Sequence, residues 1–487
     1  MSSTTSTRSV RQSGPRPTSS DASGPPADRD LVIDLVRVGA ITAVVLGHWL
    51  VAGLERGDGG LITVNALGPV EVLRPVTWFF QVMPLFFVAG GAANHASWTN
   101  ARRRGATAPE WVAGRLTRLV RPTLVLALAW AAAVAIPALT GFESLVVADA
   151  AWVAGVPLWF LAAYVPTIAL APMLSRLGDR APVRVVAALA GATILADVVG
   201  IGAGVTPVRF LNLLAPWLLF QQLGFWWREN RLPAGAAAAR WSLVFLGATV
   251  AATTLGPYPV SMVSVPGEAL GNTSPPTVTL VLLGCTHLFA VRALLRPLRW
   301  VTGWRPAQAV LLVVGSSAMT VYLWHFTALV IVAVGALALG LPLAEVGGTA
   351  WWLAKPLWIL ASGVVLAGLI RVFRSFEAPW PLPCTVSTSK VSTRTVTTAS
   401  FLFIAAAVRM TINGFHAEDL PLDVDSIGLG LVLGSVMALR NSHRPGMAGR
   451  RSGFAPHATT PPTTPSSAPR CLARPGCGVP TGRRRVW

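Results

Sequence analysis

The sequence is poor in charge and, among its cations, nearly devoid of lysine. Only 12% of its 487 residues are Asp, Glu, Lys or Arg, against about 25% in soluble globular domains. Acidic residues number 20, and of the 39 basic residues only Lys355 and Lys390 are lysine. A chain so short of charge cannot clothe a soluble core in polar side chains. With 53% hydrophobic residues and a mean hydropathy of +0.59, it is neither a soluble enzyme nor, for most of its length, intrinsically disordered. Cysteine is scarce as well. Cys285, Cys384, Cys471 and Cys477 have no metal-ligand spacing with histidine, so neither a disulfide framework nor a metal site is expected. The net charge of +19 does not imply a nucleic-acid partner, because the arginines sit between hydrophobic runs, where membrane proteins use them to set orientation. What remains is a polytopic membrane protein embedded in a lipid bilayer.

What the sequence does have is a succession of apolar runs near the roughly 20 residues that a spanning helix needs. They fall at 31–52, 75–93, 122–140, 151–172, 183–201, 207–227, 237–255, 277–294, 309–339 and 350–372, with weaker ones at 399–413 and 425–439. The expected fold is therefore all-α: a bundle of ten core transmembrane helices plus two weaker C-terminal ones. The ninth run is too long for one straight helix, and a break is expected near Gly315, Ser316 and Ser317. The expected organisation is a disordered tail at 1–28 without a cleavable signal, a membrane domain at 29–376, and a linker at 377–398. The weak helix pair at 399–441 and a second disordered tail at 442–487 follow. Loops alternate in charge. The loop at 94–121 carries Arg102, Arg103, Arg104, Arg115, Arg118 and Arg121 against Glu110, whereas 414–424 carries Glu418, Asp419 and Asp423. The positive-inside rule then puts both termini in the cytoplasm of a multi-pass plasma-membrane protein.

The first apolar run carries the sharpest signal. It contains Asp34, Arg37 and His48. Eleven positions at about 100° each make three turns plus roughly 20°, so Arg37 and His48 share one helix face, about 16 Å apart along the axis. Asp34 lies near the same stripe and pairs with Arg37 at i,i+3. Ionisable groups cost about 2.5–3.5 kcal/mol each at the centre of a bilayer, so such a stripe faces protein or water rather than lipid. Histidine titrates near neutrality, which suits His48 to take a proton from a hydroxyl. The plainer alternative is a boundary ion pair and a satisfied core histidine.

Further along, Arg115 and Arg118 share a face if their segment is helical, and planar guanidinium groups bind phosphates through paired hydrogen bonds; simple topology anchoring is the alternative. The second run holds Phe86-Phe87-Val-Ala-Gly90-Gly91, whose glycines permit close helix approach. Trp159 and Tyr164 lie in the middle of the fourth run. Tyr322 and His325 are i,i+3 neighbours in the ninth and can join a polar cavity. His287, near Cys285, is a weaker candidate.

Taken together, these residues resemble acyltransferase family 3, the integral-membrane O-acyltransferases. The resemblance covers residues 29–376. It rests on Arg37 followed by ten residues and His48, on Phe86-Phe87-Val-Ala-Gly90-Gly91, and on Arg115-x-x-Arg118 ahead of Pro122. Trp159-Phe-Leu with Tyr164, and Tyr322-Leu-Trp324-His325, complete it. The resemblance implies transfer of an acyl group, often acetyl, from cytoplasmic acyl-CoA as donor substrate, with no bound cofactor. The implied acceptor is a hydroxyl of a carbohydrate, a lipid-linked sugar or a glycosylated compound. On this basis His48 is the expected general base or acyl carrier, with Arg37 beside it in the catalytic stripe. Arg115 and Arg118 are the expected acyl-CoA ligands, and Asp34, Trp159, Tyr164, Tyr322 and His325 are supporting residues. A twelve-helix secondary transporter shares the length and the buried charges, and a membrane scaffold without chemistry is a third possibility.

Overall fold

A computed structural model of the chain describes residues 29–57, 60–140, 145–377, 391–417 and 420–441. The expected tails at 1–28 and 442–487, most of the linker, and Cys384, Cys471 and Cys477 lie outside them. The described chain is overwhelmingly helical. Among the described residues, eight helices are long and apolar enough to cross a membrane, or nine if one bent pair counts as a single span. The bundle is thus all-α in character, but this count does not reach the expected ten plus two.

The chain opens with α1 (Leu31–Val51), capped by the Asp30 carboxylate, which accepts from the backbone N–H groups of Val32 and Ile33 at 3.0 and 3.2 Å. The expected loop after it contains a small antiparallel hairpin, β1 (Ala52–Gly57) and β2 (Gly60–Asn65), which pairs Leu54 with Thr63. Next come the single-turn α2 (Thr77–Phe80) and α3 (Met83–Arg103). α4 (Ala108–Thr140) starts from a capping box in which Thr107 and Glu110 bond each other's backbone N–H. α5 (Leu145–Gly155) and α6 (Leu158–Arg180) form one span, and α7 (Pro182–Asp197) the next. They are followed by α8 (Ala215–Arg228), α9 (Gly235–Thr254) and α10 (Val278–Ala293). α10 bends by 64° into α11 (Leu295–Gly303). α12 (Arg305–Ser316) and α13 (Ala318–Ala338) are separated by Ser317, within the expected break. α14 (Thr349–Phe373) completes the core.

Two of the expected spans take a different form. The run at 75–93 becomes α2 plus an α3 that extends to Arg103, and the run at 207–227 becomes a 3₁₀ stretch at Thr206–Leu213 followed by α8, only 14 residues long. Twelve of those fourteen are buried. A helix apolar on all sides is a protein-enclosed helix, and α8 packs against α3 at the centre of the bundle. Their crossing is set by glycine. A β-carbon on Gly91 would collide with the Gln221 carbonyl, and one on Gly224 with that of Val88, so the backbones approach as small residues allow.

The C-terminal pair is α15 (Thr393–Asn413) and α16 (Ser426–Asn441). α15 begins six residues before the expected 399 and takes up part of the expected linker. It is apolar enough to span, whereas α16 is a shorter apolar helix. The two pack on each other and α15 packs on α6, and the pair is tied by an ion pair of 2.6 Å between part-exposed Arg409 and buried Asp425.

Candidate functional site

His48 stands one turn from the end of α1, and His325 stands on α13, which packs beside it. Their rings lie edge to edge, with centroids 5.2 Å apart and planes 11° from parallel. Nδ1 of His48 lies 3.0 Å from Nε2 of His325, and Nδ1 of His325 lies 2.6 Å from the carbonyl oxygen of Tyr322. A carbonyl only accepts, so the proton of neutral His325 sits on Nδ1 and its Nε2 is a lone pair. That lone pair accepts from Nδ1–H of His48. The chain of bonds leaves Nε2 as the proton-accepting nitrogen of His48.

The surrounding contacts hold this pair in place. Trp49 Nε1 donates to the His325 carbonyl at 3.0 Å, and the Tyr322 hydroxyl donates to the Pro157 carbonyl at 2.8 Å. Phe326 packs on both imidazoles, at 4.7 and 4.6 Å. His48, Trp159, Tyr322 and Phe326 border a cavity of about 510 Å³. Its other walls come from the hairpin, α2, the loop around Ser264 and Thr273, and α5.

A second cluster lies at the other end of the α1 stripe. Asp34 is bonded by Arg29, and Arg37 Nη2 lies 3.2 Å from its Oδ1. The Arg37 guanidinium passes beside Gly315, where a β-carbon would lie 3.2 Å from Nη2. Arg115 Nη2 donates to the Ala93 carbonyl at 3.1 Å and its guanidinium stands over the Trp111 ring at 5.5 Å. Arg37 and Arg118 lie close enough for their charges to act on Arg115. Arg118 is exposed. The Nε atoms of Arg37 and Arg115 are buried without a hydrogen-bond partner, so this convergence of cations has donors to spare for an anion. Tyr164 reaches the same region by approaching Gly90, whose missing side chain admits its ring.

The structure therefore divides the sequence-derived residues into two groups. His48, Tyr322 and Trp159 border the cavity, and His325 is bonded to His48 behind its wall. Asp34, Arg37, Arg115, Arg118 and Tyr164 gather at the arginine cluster, about 16 Å away along α1. Phe87 is a packing residue, stacked on Trp217 at 4.4 Å, and His287 bonds the Trp78 backbone. Sequence reasoning missed Lys355 on α14. Its ammonium donates to the carbonyls of Ala52 at 2.5 Å and Trp49 at 3.3 Å, with the Trp351 ring at 3.9 Å. It fastens the C-terminal end of α1 next to His48. An isolated lysine within an apolar span was the available signal. Among the described residues, no group of three or more His, Cys, Asp or Glu side chains is arranged to hold a metal ion.

The family model of the acyltransferase domain matches residues 30–373. No curated protein and no solved structure matches the chain.

Proposed function

The chain belongs to acyltransferase family 3 and is an acyltransferase, and from that premise we propose that it moves an acyl group, acetyl in the simplest case, from cytoplasmic acyl-CoA to an acceptor hydroxyl, with His48 as general base. The observation that carries this proposal is the bond from His48 to His325 at the edge of a cavity large enough for an acceptor. With Nδ1 committed to His325, Nε2 takes the acceptor's proton as its oxygen attacks the thioester carbonyl. The tetrahedral adduct collapses, the C–S bond breaks, and the CoA thiolate leaves with the proton held by His48. During the step His48 is an imidazolium whose Nδ1–H still points at a neutral lone pair, so the developing charge is stabilised without a second charge in the apolar interior.

Arg37, Arg115 and Arg118 are the donor side of the proposal. CoA phosphates on these guanidinium groups leave the thioester arm about 16 Å to cover along the α1 stripe. Carbohydrate or glycosylated acceptors enter by the cavity. The alternating loop charges support a plasma-membrane protein with both termini in the cytoplasm. The acyltransferase domain displaces the transporter reading, because its match covers most of the chain.

The test uses the protein purified into phosphatidylcholine nanodiscs, radiolabelled acetyl-CoA, and a panel of neutral sugars and alkyl glycosides. The wild type is expected to label a member of the panel, and His48→Ala to lose at least about a hundredfold in kcat. Full activity in a normally assembled His48→Ala protein overturns the role.

A further inference from the structure

Among the described residues, the cavity beside His48 has an uncharged lining. The chain carries a net charge of +19, yet no Asp, Glu, Lys or Arg among the described residues lines this cavity. An anionic or cationic group brought there would lose its hydration with nothing to replace it. The cavity is also lopsided. Its polar side chains other than His48, Tyr322 and Thr63 are Asn65, Thr77, Gln81, Ser264 and Thr273, and none of these borders the neighbouring cleft.

That cleft adjoins the cavity. Ala52, Thr63, Val153 and Leu329 border both. From Leu329 it follows one face of α13 through Ala333 to Leu337, positions four residues apart that share a helix face and cover about 12 Å. Val153 and Trp358 enclose it from α5 and α14, and the one charged side chain among the described residues at its edge, Asp149, is exposed. A polar-lined chamber holding the base therefore lies beside an apolar trough along a spanning helix.

Resting on the acyltransfer reading above, we propose that the acceptor is an uncharged amphipathic hydroxyl compound, whose apolar part lies in the cleft along α13 while its hydroxyl meets His48. The border it shares with the base's own cavity singles out the acceptor's hydrocarbon as the occupant, over an unrelated bilayer lipid. Recognition is by apolar burial along Leu329, Ala333 and Leu337 and by exclusion of charge, not by an ion pair.

The experiment has two arms, both on the full chain in phosphatidylcholine nanodiscs. In the first, transfer from radiolabelled acetyl-CoA is measured to methyl, butyl and octyl β-glucoside and to octyl β-glucuronide. The proposal expects kcat/KM to rise about tenfold or more from methyl to octyl glucoside, the glucuronide to be the poorest octyl acceptor, and Ala333→Phe to bring the octyl-to-methyl ratio close to one. In the second arm, an octyl glucoside with a diazirine at the chain terminus is photolysed on the unsubstituted protein without acetyl-CoA. Labelled peptides are expected to cover residues 329–337, and excess octyl glucoside to compete. Rates independent of chain length, a glucuronide equal to the glucoside, or labelling confined to other helices overturns the proposal and leaves the acyltransfer reading intact. Competed labelling on 329–337 with no transfer to any glycoside upholds the cleft and overturns acyltransfer to such hydroxyls. Absence of both labelling and transfer overturns both.

Discussion

The imidazoles of His48 and His325 face each other across two helices, Nδ1 to Nε2 at 3.0 Å, and the second ring is anchored by a backbone carbonyl. A base held this way needs no carboxylate partner, which would place a charge in the bundle. The relation fixes one tautomer of His48, and it predicts how substitutions at His325 behave.

His325→Leu removes the acceptor for Nδ1–H and frees the His48 ring to turn or change tautomer. It is expected to lower kcat by about a hundredfold, the scale of positioned acid–base catalysis, with the KM for acetyl-CoA little altered. His325→Gln keeps an amide oxygen as acceptor and is expected to retain most of the rate. Steady-state kinetics of the pair decide the matter; a Gln variant as slow as the Leu variant assigns His325 to packing alone.

Arg115 is tied to Ala93 and Trp111 yet keeps a buried, unpartnered Nε. Arg115→Gln is expected to raise the Kd for CoA about tenfold or more, the value of a charge-assisted bond to phosphate. Arg118→Gln acts at an exposed position, where charge is screened, and is expected to have the smaller effect. Calorimetric titration with CoA measures both, and unchanged affinity in the two variants would reduce these arginines to topology anchors.

Lys355→Met takes two carbonyl bonds and a cation–π contact from the end of α1. The loss is expected to cost about 1–3 kcal/mol, since buried carbonyls are left unpaired. It is read as a lower Tm in nanodiscs, together with a fall in kcat, because His48 lies one turn away. A Tm equal to wild type contradicts the anchoring role.

The C-terminal helix pair depends on Asp425, which is 2% exposed and bonded to Arg409 and to the Gly428 N–H. Asp425→Ala strands the Arg409 charge at a part-buried site and removes the Gly428 cap, which is expected to cost about 1–3 kcal/mol. Limited proteolysis is expected to open residues 391–441 first, while Arg409→Leu with Asp425→Leu together recovers much of the protection. Equal resistance of the single variant and the wild type would show that the pair contributes nothing.

Tyr258, in the loop before α10, donates to Asp197 at 3.0 Å. Burial first, and then the neighbouring carboxylate, push its phenol above the ordinary value near 10. A folded-state pKa raised in this way stabilises the fold fully below about pH 10 and loses that contribution as the pH climbs beyond it. Tyr258→Phe is expected to have a lower Tm at neutral pH and a flatter decline in strong base. Identical Tm curves from pH 8 to 11 would exclude the contribution.

The parts of this architecture that sequence revealed are those in which helical periodicity meets an expensive residue. Arg37 and His48 on one stripe, Tyr322 and His325 one turn apart, and a break at Ser317 all follow from spacing alone. Partner choice across helices does not. Nothing in the α1 sequence names His325 as the receptor of its proton, since 277 residues separate them. Apolar composition also fails to distinguish lipid from protein as the neighbour, so α3 and α8 read as ordinary spans although α8 is enclosed. The hairpin was hidden because 53–74 has loop-like polarity, and Lys355 because a lone cation in an apolar run looks like a boundary marker.

The strand β1 starts at Ala52, four residues after His48, and α1 runs directly into it at Val51. Lys355 grips that junction, and the Val346 N–H donates to Glu55 at 3.0 Å. The hairpin is thus a lever whose short arm is the imidazole. A nanobody that grasps the strands and twists them would move the imidazole and the wall of its chamber together.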